Sequence, residues 1–255
     1  MRRSTACGRL LTALGVLAGG GASAHAQPAP PPPAFGIVDN SFLVEEAFNQ
    51  ERGVVQSIFS WTRIGSGEWV ATFTQEWPVP AMEHQLSYTI PFSRLNGSTE
   101  VNDVLVNYRY QWLREGAGRP AIAPRASLIL PTGNSIHGFG DGTVGLQLNL
   151  PVSKQIGAVY LHGNVGTTWL PGVSRIDLVG GSAIWRARRM LHVILESVAA
   201  VGESFIVSPG FRYGWDVGES QIVVGLAIPV TFADDDRRAS LLTYFSYEVR
   251  FRGVR

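Results

Sequence analysis

The sequence predicts an all-β fold, a transmembrane antiparallel β-barrel of about twelve strands with a short N-terminal plug or periplasmic segment. Three observations predict it. Apolar and polar residues alternate through nearly the whole chain. The chain opens with an export signal. Six tryptophans fall near the ends of alternating segments.

Residues 101–113, VNDVLVNYRYQWL, show the alternation most clearly. Val104, Val106, Tyr108, Tyr110 and Trp112 alternate with Asp103, Leu105, Asn107, Arg109 and Gln111. Strand side chains point to opposite faces in turn, so the segment has one apolar, aromatic-ended face and one polar face. A helix would mix the two sets. In a barrel the apolar face meets lipid and the polar face lines the lumen.

At 255 residues the chain forms one large domain or two small ones. Hydrophobic content is 45% and charged content only 16%, with 29 Gly and 7 Trp, a composition that suits a membrane barrel. Lys154 is the only lysine. Arg2, Arg3 and Arg9 precede an apolar core at residues 10–18, and Ala24-His25-Ala26 is a small-x-small cleavage site. The pattern predicts a signal peptide over residues 1–26, cleaved after Ala26. A retained anchor is the alternative, but the run is shorter than the ~20 residues a spanning helix needs. Cys7 lies within the signal, so the mature chain has no cysteine, no disulfide and no thiolate metal site. Removing three arginines from 21 basic residues leaves 18 against 20 acidic ones, about −2. That balance excludes nucleic acid as an expected partner.

Residues 27–34, QPAPPPPA, read as a polyproline-like linker. Residues 35–52 follow, and linker and segment together occupy 27–52. Leu43, Ala47 and Phe48 could share a helical face, with Ser41 as N-cap and Glu45 and Glu46 in the first turn. A short helix is expected, at the periplasmic mouth or as a plug, with a disordered arm as the alternative.

The barrel is expected over residues 53–255. Val55, Phe59 and Trp61 oppose Gln56, Ser60 and Thr62; a turn at Gly65-Ser66-Gly67 follows. Trp69, Ala71, Phe73 and Trp77 oppose Thr72, Thr74 and Glu76, and Pro78-Val79-Pro80 ends that strand. Leu86, Tyr88 and Ile90 oppose Gln85, Ser87 and Thr89. After the strand at 101–113, residues 114–120 turn the chain into a strand at 121–130, where Leu128 opposes Ser127. A glycine-rich loop at 131–142 precedes Val144, Leu146, Leu148 and Leu150, which alternate with Gly145, Gln147 and Asn149.

Val159, Leu161, Val165 and Trp169 then oppose Tyr160, His162, Asn164 and Thr168. Residues 175–187 are the least regular: Ile176, Leu178 and Ile184 oppose Val179, Ala183 and Trp185. Leu191, Val193 and Leu195 oppose His192 and Glu196. Phe205, Val207, Phe211, Tyr213 and Trp215 oppose Ser208 and Arg212. Ile222, Val224, Leu226 and Ile228 mark the next strand. The last places Leu241, Phe245, Tyr247, Val249 and Phe251 opposite Tyr244, Ser246, Glu248 and Arg250. An even strand number returns the C-terminus to the side of the N-terminus, which export places in the periplasm. Trp61, Trp69, Trp77, Trp112, Trp169 and Trp215 then form interfacial girdles.

Two stretches carry a family resemblance. SFLVEEAFNQERGVVQ at 41–56 looks like the N-terminal segment of a set of bacterial outer-membrane proteins. PRASLILPTGN at 124–134, with GFGDGTVGLQLNLPVSKQIG at 138–157, resembles transporters of a meta-pathway phenol degradation family. The resemblance implies an outer-membrane barrel that admits aromatic or other small hydrophobic compounds. It supplies no catalytic residues. The C-terminal aromatic read by barrel-assembly machinery would be Phe251, although residues 252–255 follow it.

Function is expected in the lumen. Arg109 and Arg125 flank the 114–120 turn symmetrically about Ala117 on polar faces, so they can sit side by side. Such a pair needs a counter-charge. Glu76 on the wall, Glu45 and Glu46 from the N-terminal segment, or an anionic substrate could supply it. Arg212, Glu248 and Arg250 form a second candidate group, read as cross-bracing.

An outer-membrane acyl hydrolase is one rival. It needs a nucleophile beside a base, and no serine in register with His162 is evident. His192 and Glu196 share a face but stand four apart. A soluble secreted β-sandwich binding protein is the other rival. Asp234-Asp235-Asp236 could hold calcium, but Arg237 and Arg238 favour a self-neutralised loop. No metal or cofactor is expected. The expected function is passive or facilitated passage of a small solute, aromatic, hydrophobic or anionic, across the outer membrane of a Gram-negative bacterium. The expected partners are outer-membrane lipid, the solute and the assembly machinery.

Overall fold

The computed structural model describes residues 36–250, Val38 and Asp235 excepted. The predicted signal, the proline-rich linker and Phe251 lie outside the described residues. The described chain is built from β-strands, with no helix among the described residues. Twelve strands close a ring. They are β1 (Val54–Arg63), β2 (Trp69–Trp77), β3 (His84–Leu95), β4 (Val104–Tyr110), β5 (Arg125–Leu130), β6 (Gly145–Ile156), β7 (Val159–Leu170), β8 (Ser174–Arg188), β9 (Leu191–Ala200), β10 (Ser204–Val217), β11 (Ser220–Ala227) and β12 (Leu241–Arg250). Each pairs antiparallel with its neighbours in sequence, and β12 pairs with β1 from Arg250↔Val54 to Leu241↔Arg63. Closure leaves no unpaired edge, which a lipid solvent requires.

Short pieces decorate the ring. Ser98–Val101 folds back on β3, and a hairpin of Val230–Ala233 and Asp236–Ala239 leans on β10. The strand expected over 121–130 is split. Ala121–Ile122 pairs with β6, and Leu113 bridges to Ile122, while Arg125 onward lies between β4 and β5's other neighbour β6. Pro124 has no N–H for a continuous ladder. Connections 96–103, 131–144 and 228–240 lie at the end opposite both chain termini, here the loop end. At the terminal end most turns are short, with 111–124 the exception.

The faces follow the alternation. Outward Val106, Leu195 and Val165 are 45%, 54% and 60% exposed, whereas inward Asn107, Gln147 and Ser208 are at most 1% exposed. A continuous apolar outer wall of this kind suits lipid and not water. Outward Trp61, Trp69 and Trp169 ring the loop end; Trp77, Trp112, Trp185 and Trp215 ring the terminal end. Those are the two girdles of a spanning barrel. On β8 the alternation is blurred because inward Ile176, Leu178 and Ile184 are apolar and buried. The first two pack with Val198 and Ala200 around Val44, a residue of the N-terminal segment.

Candidate functional site

Residues 36–52 are not a helix. The described residues among them run as an irregular stretch of chain through the lumen. The helical expectation fails for a physical reason. Its backbone N–H groups are taken by wall side chains instead of by carbonyls one turn back. Glu196 Oε1 accepts from Leu43 N–H at 2.8 Å and Val44 N–H at 3.1 Å. Asn164 accepts from Glu45 N–H at 2.9 Å and donates to Glu45 O at 2.8 Å. Ser153 Oγ accepts from Ala47 N–H at 2.7 Å, Gln111 from Asn49 N–H at 3.1 Å, and Gln85 from Gln50 N–H at 2.8 Å. Ser41, expected as an N-cap, pairs through its hydroxyl with Ser182 at 2.6 Å. Buried backbone groups must find partners, and here the barrel wall supplies them.

The path begins at the terminal end, where Gly36 N–H donates to Arg189 O at 3.0 Å in the β8–β9 turn. It climbs past Asp39, which accepts from Gln56 at 2.8 Å, Tyr244 at 2.7 Å and Ser246 at 2.6 Å. It then crosses toward β4–β7 and returns to start β1. Three apolar clusters between segment and wall form the interior. Val44 sits on β8 and β9; Ile37 and Phe42 on β10–β12; Ala47 and Phe48 on Ala121 and Ala123.

The predicted arginine pair is present. Arg109 and Arg125 face each other in register on β4 and β5. Arg109 Nη2 lies 3.8 Å from Glu76 Oε2, with both side chains buried. Arg109 also donates to Asn49 Oδ1 at 3.1 Å, to Glu46 O at 3.3 Å and to Phe48 O. Arg125 pairs with Glu45 at 2.8 Å. Glu46, buried, offers Arg109 its backbone carbonyl; its own N–H goes to Asn40 Oδ1 at 3.2 Å.

The second predicted group is not brought together. Arg212 donates to Asp39 O at 2.8 Å and Asn40 O at 2.7 Å and forms no ion pair with Glu248, while Arg250 pairs with Glu51 instead. Its role as cross-bracing is therefore corrected: it holds the threaded segment. Glu248 lies at the terminal end between Gln56 and Gln221 in register. Arg250 is exposed at the rim and pairs with Glu51, so it is not a lumen residue.

Sequence reasoning missed two features. Ser153 and His162 face each other across β6 and β7, with Ser153 Oγ 2.7 Å from His162 Nδ1. The geometry resembles a nucleophile and base. Yet Ser153 is fully buried and already accepts from Ala47 N–H, so the contact fastens the segment. The signal was available, since the two residues lie symmetrically about the Gly157 turn. The second feature is a cradle of inward glycines. A Cβ at Gly225 would stand 2.4 Å from the Phe42 ring, one at Gly210 2.9 Å from it, and one at Gly214 2.9 Å from Ile37. Gly225→Val therefore expels Phe42. The variant barrel should still assemble, and a cysteine placed at buried Ser41, with Phe42 kept, should label with a water-soluble maleimide many times faster than with Gly225 intact. Equal rates would contradict the seat.

No family model and no curated protein matches the chain. Solved structures do. The COG4313 outer membrane channel from Pseudomonas putida F1 superposes with a TM-score of 0.62 at 9% identity, covering 80% of this chain and 98% of that one. The KdgM porin, solved with disordered oligogalacturonate, superposes at 0.51 with 10% identity, covering 78% and 99%. At these identities the likeness shows the fold: the chain has the fold of an outer-membrane β-barrel.

Proposed function

We propose that the protein is an outer-membrane channel for small solutes, closed on its periplasmic side by its own N-terminal segment. One observation carries the reading. A chain segment is threaded through a closed transmembrane barrel and held there by polar side chains from around the wall. A barrel of twelve strands has room for a narrow lumen, smaller than a large porin's. The terminal end is taken as periplasmic because the predicted signal delivers the chain from that side. The resemblance of residues 124–134 and 138–157 to the meta-pathway phenol degradation family supports small-molecule uptake, as do the channel and porin folds the chain superposes on.

Arg109, Arg125 and Arg212 have the role of plug anchors, with Glu76 and Glu45 as their counter-charges. The test is reconstitution of the mature chain in planar bilayers. Discrete conductance steps that flicker as the plug moves support the channel. A folded, inserted barrel that passes no ions, even with residues 36–50 deleted, contradicts it.

A further inference from the structure

The charged inward side chains are concentrated where the plug is. Along each strand, positions nearer the loop end than Glu76, Arg109, Arg125, Glu196, Arg212 and Glu248 carry one charged inward side chain among the described residues, Asp103, and its carboxylate is taken up by Gly133 and Asp141 N–H, both at 2.8 Å. What faces the lumen there is amide, hydroxyl and apolar surface. On β1–β3 that surface is half-buried and reachable. Ser60 and Thr72 pair through their hydroxyls at 2.7 Å across β1 and β2, and Thr74 and Thr89 at 2.9 Å across β2 and β3.

Around the wall the row continues with half-used amides. Asn107 donates to Ser87 at 3.1 Å, which fixes its orientation, and its buried Oδ1 has no partner in the protein. Gln147 accepts from Arg125 at 3.4 Å, and its buried Nε2 has none. Ser127 lies between them in register, its hydroxyl also without a partner. These three side chains are at most 1% exposed, so they form an uncharged wall behind the reachable hydroxyls and are not themselves solute contacts. The arginines cannot add a charge for an anion. Arg109 and Arg212 are 3% and 2% exposed and are taken up by plug carbonyls, and Arg125 is paired with Glu45.

We infer that the lumen on the loop side of the plug binds uncharged, hydroxyl-rich solutes, of the sugar or polyol class, in preference to anions. Each solute hydroxyl both donates and accepts, which is what the half-buried hydroxyls of Ser60, Thr72, Thr74 and Thr89 complement. A carboxylate entering the same wall loses hydration and finds no counter-charge. As a selectivity of transport, the inference rests on the channel reading above. As binding, it does not, because this wall lies outside the plug.

The experiment is saturation-transfer NMR on the full mature chain in detergent, with glucose and gluconate as probes. Transfer to glucose, weak or absent transfer to gluconate, and a roughly tenfold weakening for glucose in Ser60→Ala/Thr72→Val are expected, on the scale of two lost hydrogen bonds. A heat-modifiability gel confirms that the double variant folds, and Thr74→Val/Thr89→Val replaces it if it does not. Gluconate bound as well as glucose, glucose transfer no greater than to micelles alone, or an unchanged double variant would overturn the inference. Glucose binding without bilayer conductance would keep it and remove the channel reading. Conductance without glucose binding would do the reverse.

Discussion

Replacing Arg109 with alanine releases the plug while leaving the barrel assembled. Arg109 joins two plug carbonyls, the Asn49 side chain and Glu76 in a buried site. Its loss leaves three acceptors without a donor and the Glu76 carboxylate without its counter-charge. Breaking a buried charge pair by removing one partner costs about 3–5 kcal/mol, roughly a hundred- to several-thousand-fold in an equilibrium. The cost falls on the plugged state, because the ladder bonds of β4 to β3 and β5 are made by backbone. The predicted mature chain contains no cysteine, so a cysteine at Ser41, which is 4% exposed, is a clean reporter. With Arg109 present it should label slowly; in Arg109→Ala its labelling should rise by about two orders of magnitude. Lysine at 109 should not restore slow labelling, since one ammonium cannot reach acceptors that a planar guanidinium spans. Unchanged labelling in Arg109→Ala would place the anchoring elsewhere.

Val165→Arg should impair assembly severely. Val165 is 60% exposed and lies mid-strand on β7, opposite Leu150 and Val179. On a water-facing surface such a change stays within about 0.5 kcal/mol. On the lipid face near the bilayer midplane an arginine costs about 2–4 kcal/mol. Urea unfolding from liposomes, with heat-modifiability as the readout of folded barrel, separates the two. A stability equal to that of the parent would contradict a lipid-facing wall.

Much of this architecture is legible in the sequence because lipid and lumen impose opposite demands on alternate residues. Val104–Tyr110 shows it: each apolar side chain faces out, and Leu105 alone breaks the polar inner face. The Arg109–Arg125 pairing could be read from the symmetry of the turn between them, because antiparallel register is set by the connection. Their counter-charges, Glu76 and Glu45, could be named because a buried arginine pair must find them.

The plug's conformation could not be read. Leu43, Ala47 and Phe48 have helical spacing, but in the folded chain Leu43 packs on the Val44 and Ile37 clusters while Ala47 and Phe48 pack on Ala121 and Ala123, at a different part of the wall. Several of its hydrogen bonds come from residues more than 100 positions away, such as Glu196 and Asn164, and local pattern holds no trace of them. Arg212 was misassigned for the same reason: its acceptors are backbone carbonyls, which every residue has. The inward glycines Gly210, Gly214 and Gly225 were a visible clue. A lumen wall that omits three side chains around Arg212 on adjoining strands leaves room for something else.

The most direct test of a self-plugged channel is a reversible lock. A Cβ at Gly180 would lie 3.3 Å from Val44 Cγ2, so Val44→Cys with Gly180→Cys places two thiols within bridging reach in a predicted mature chain that has no other. The measurement is bilayer conductance of this double variant under oxidant and then under reductant. The plugged-channel account predicts closure on oxidation and recovery on reduction in the same membrane. A bridge that forms in full, shown by mobility on a non-reducing gel, and leaves conductance unchanged would contradict it.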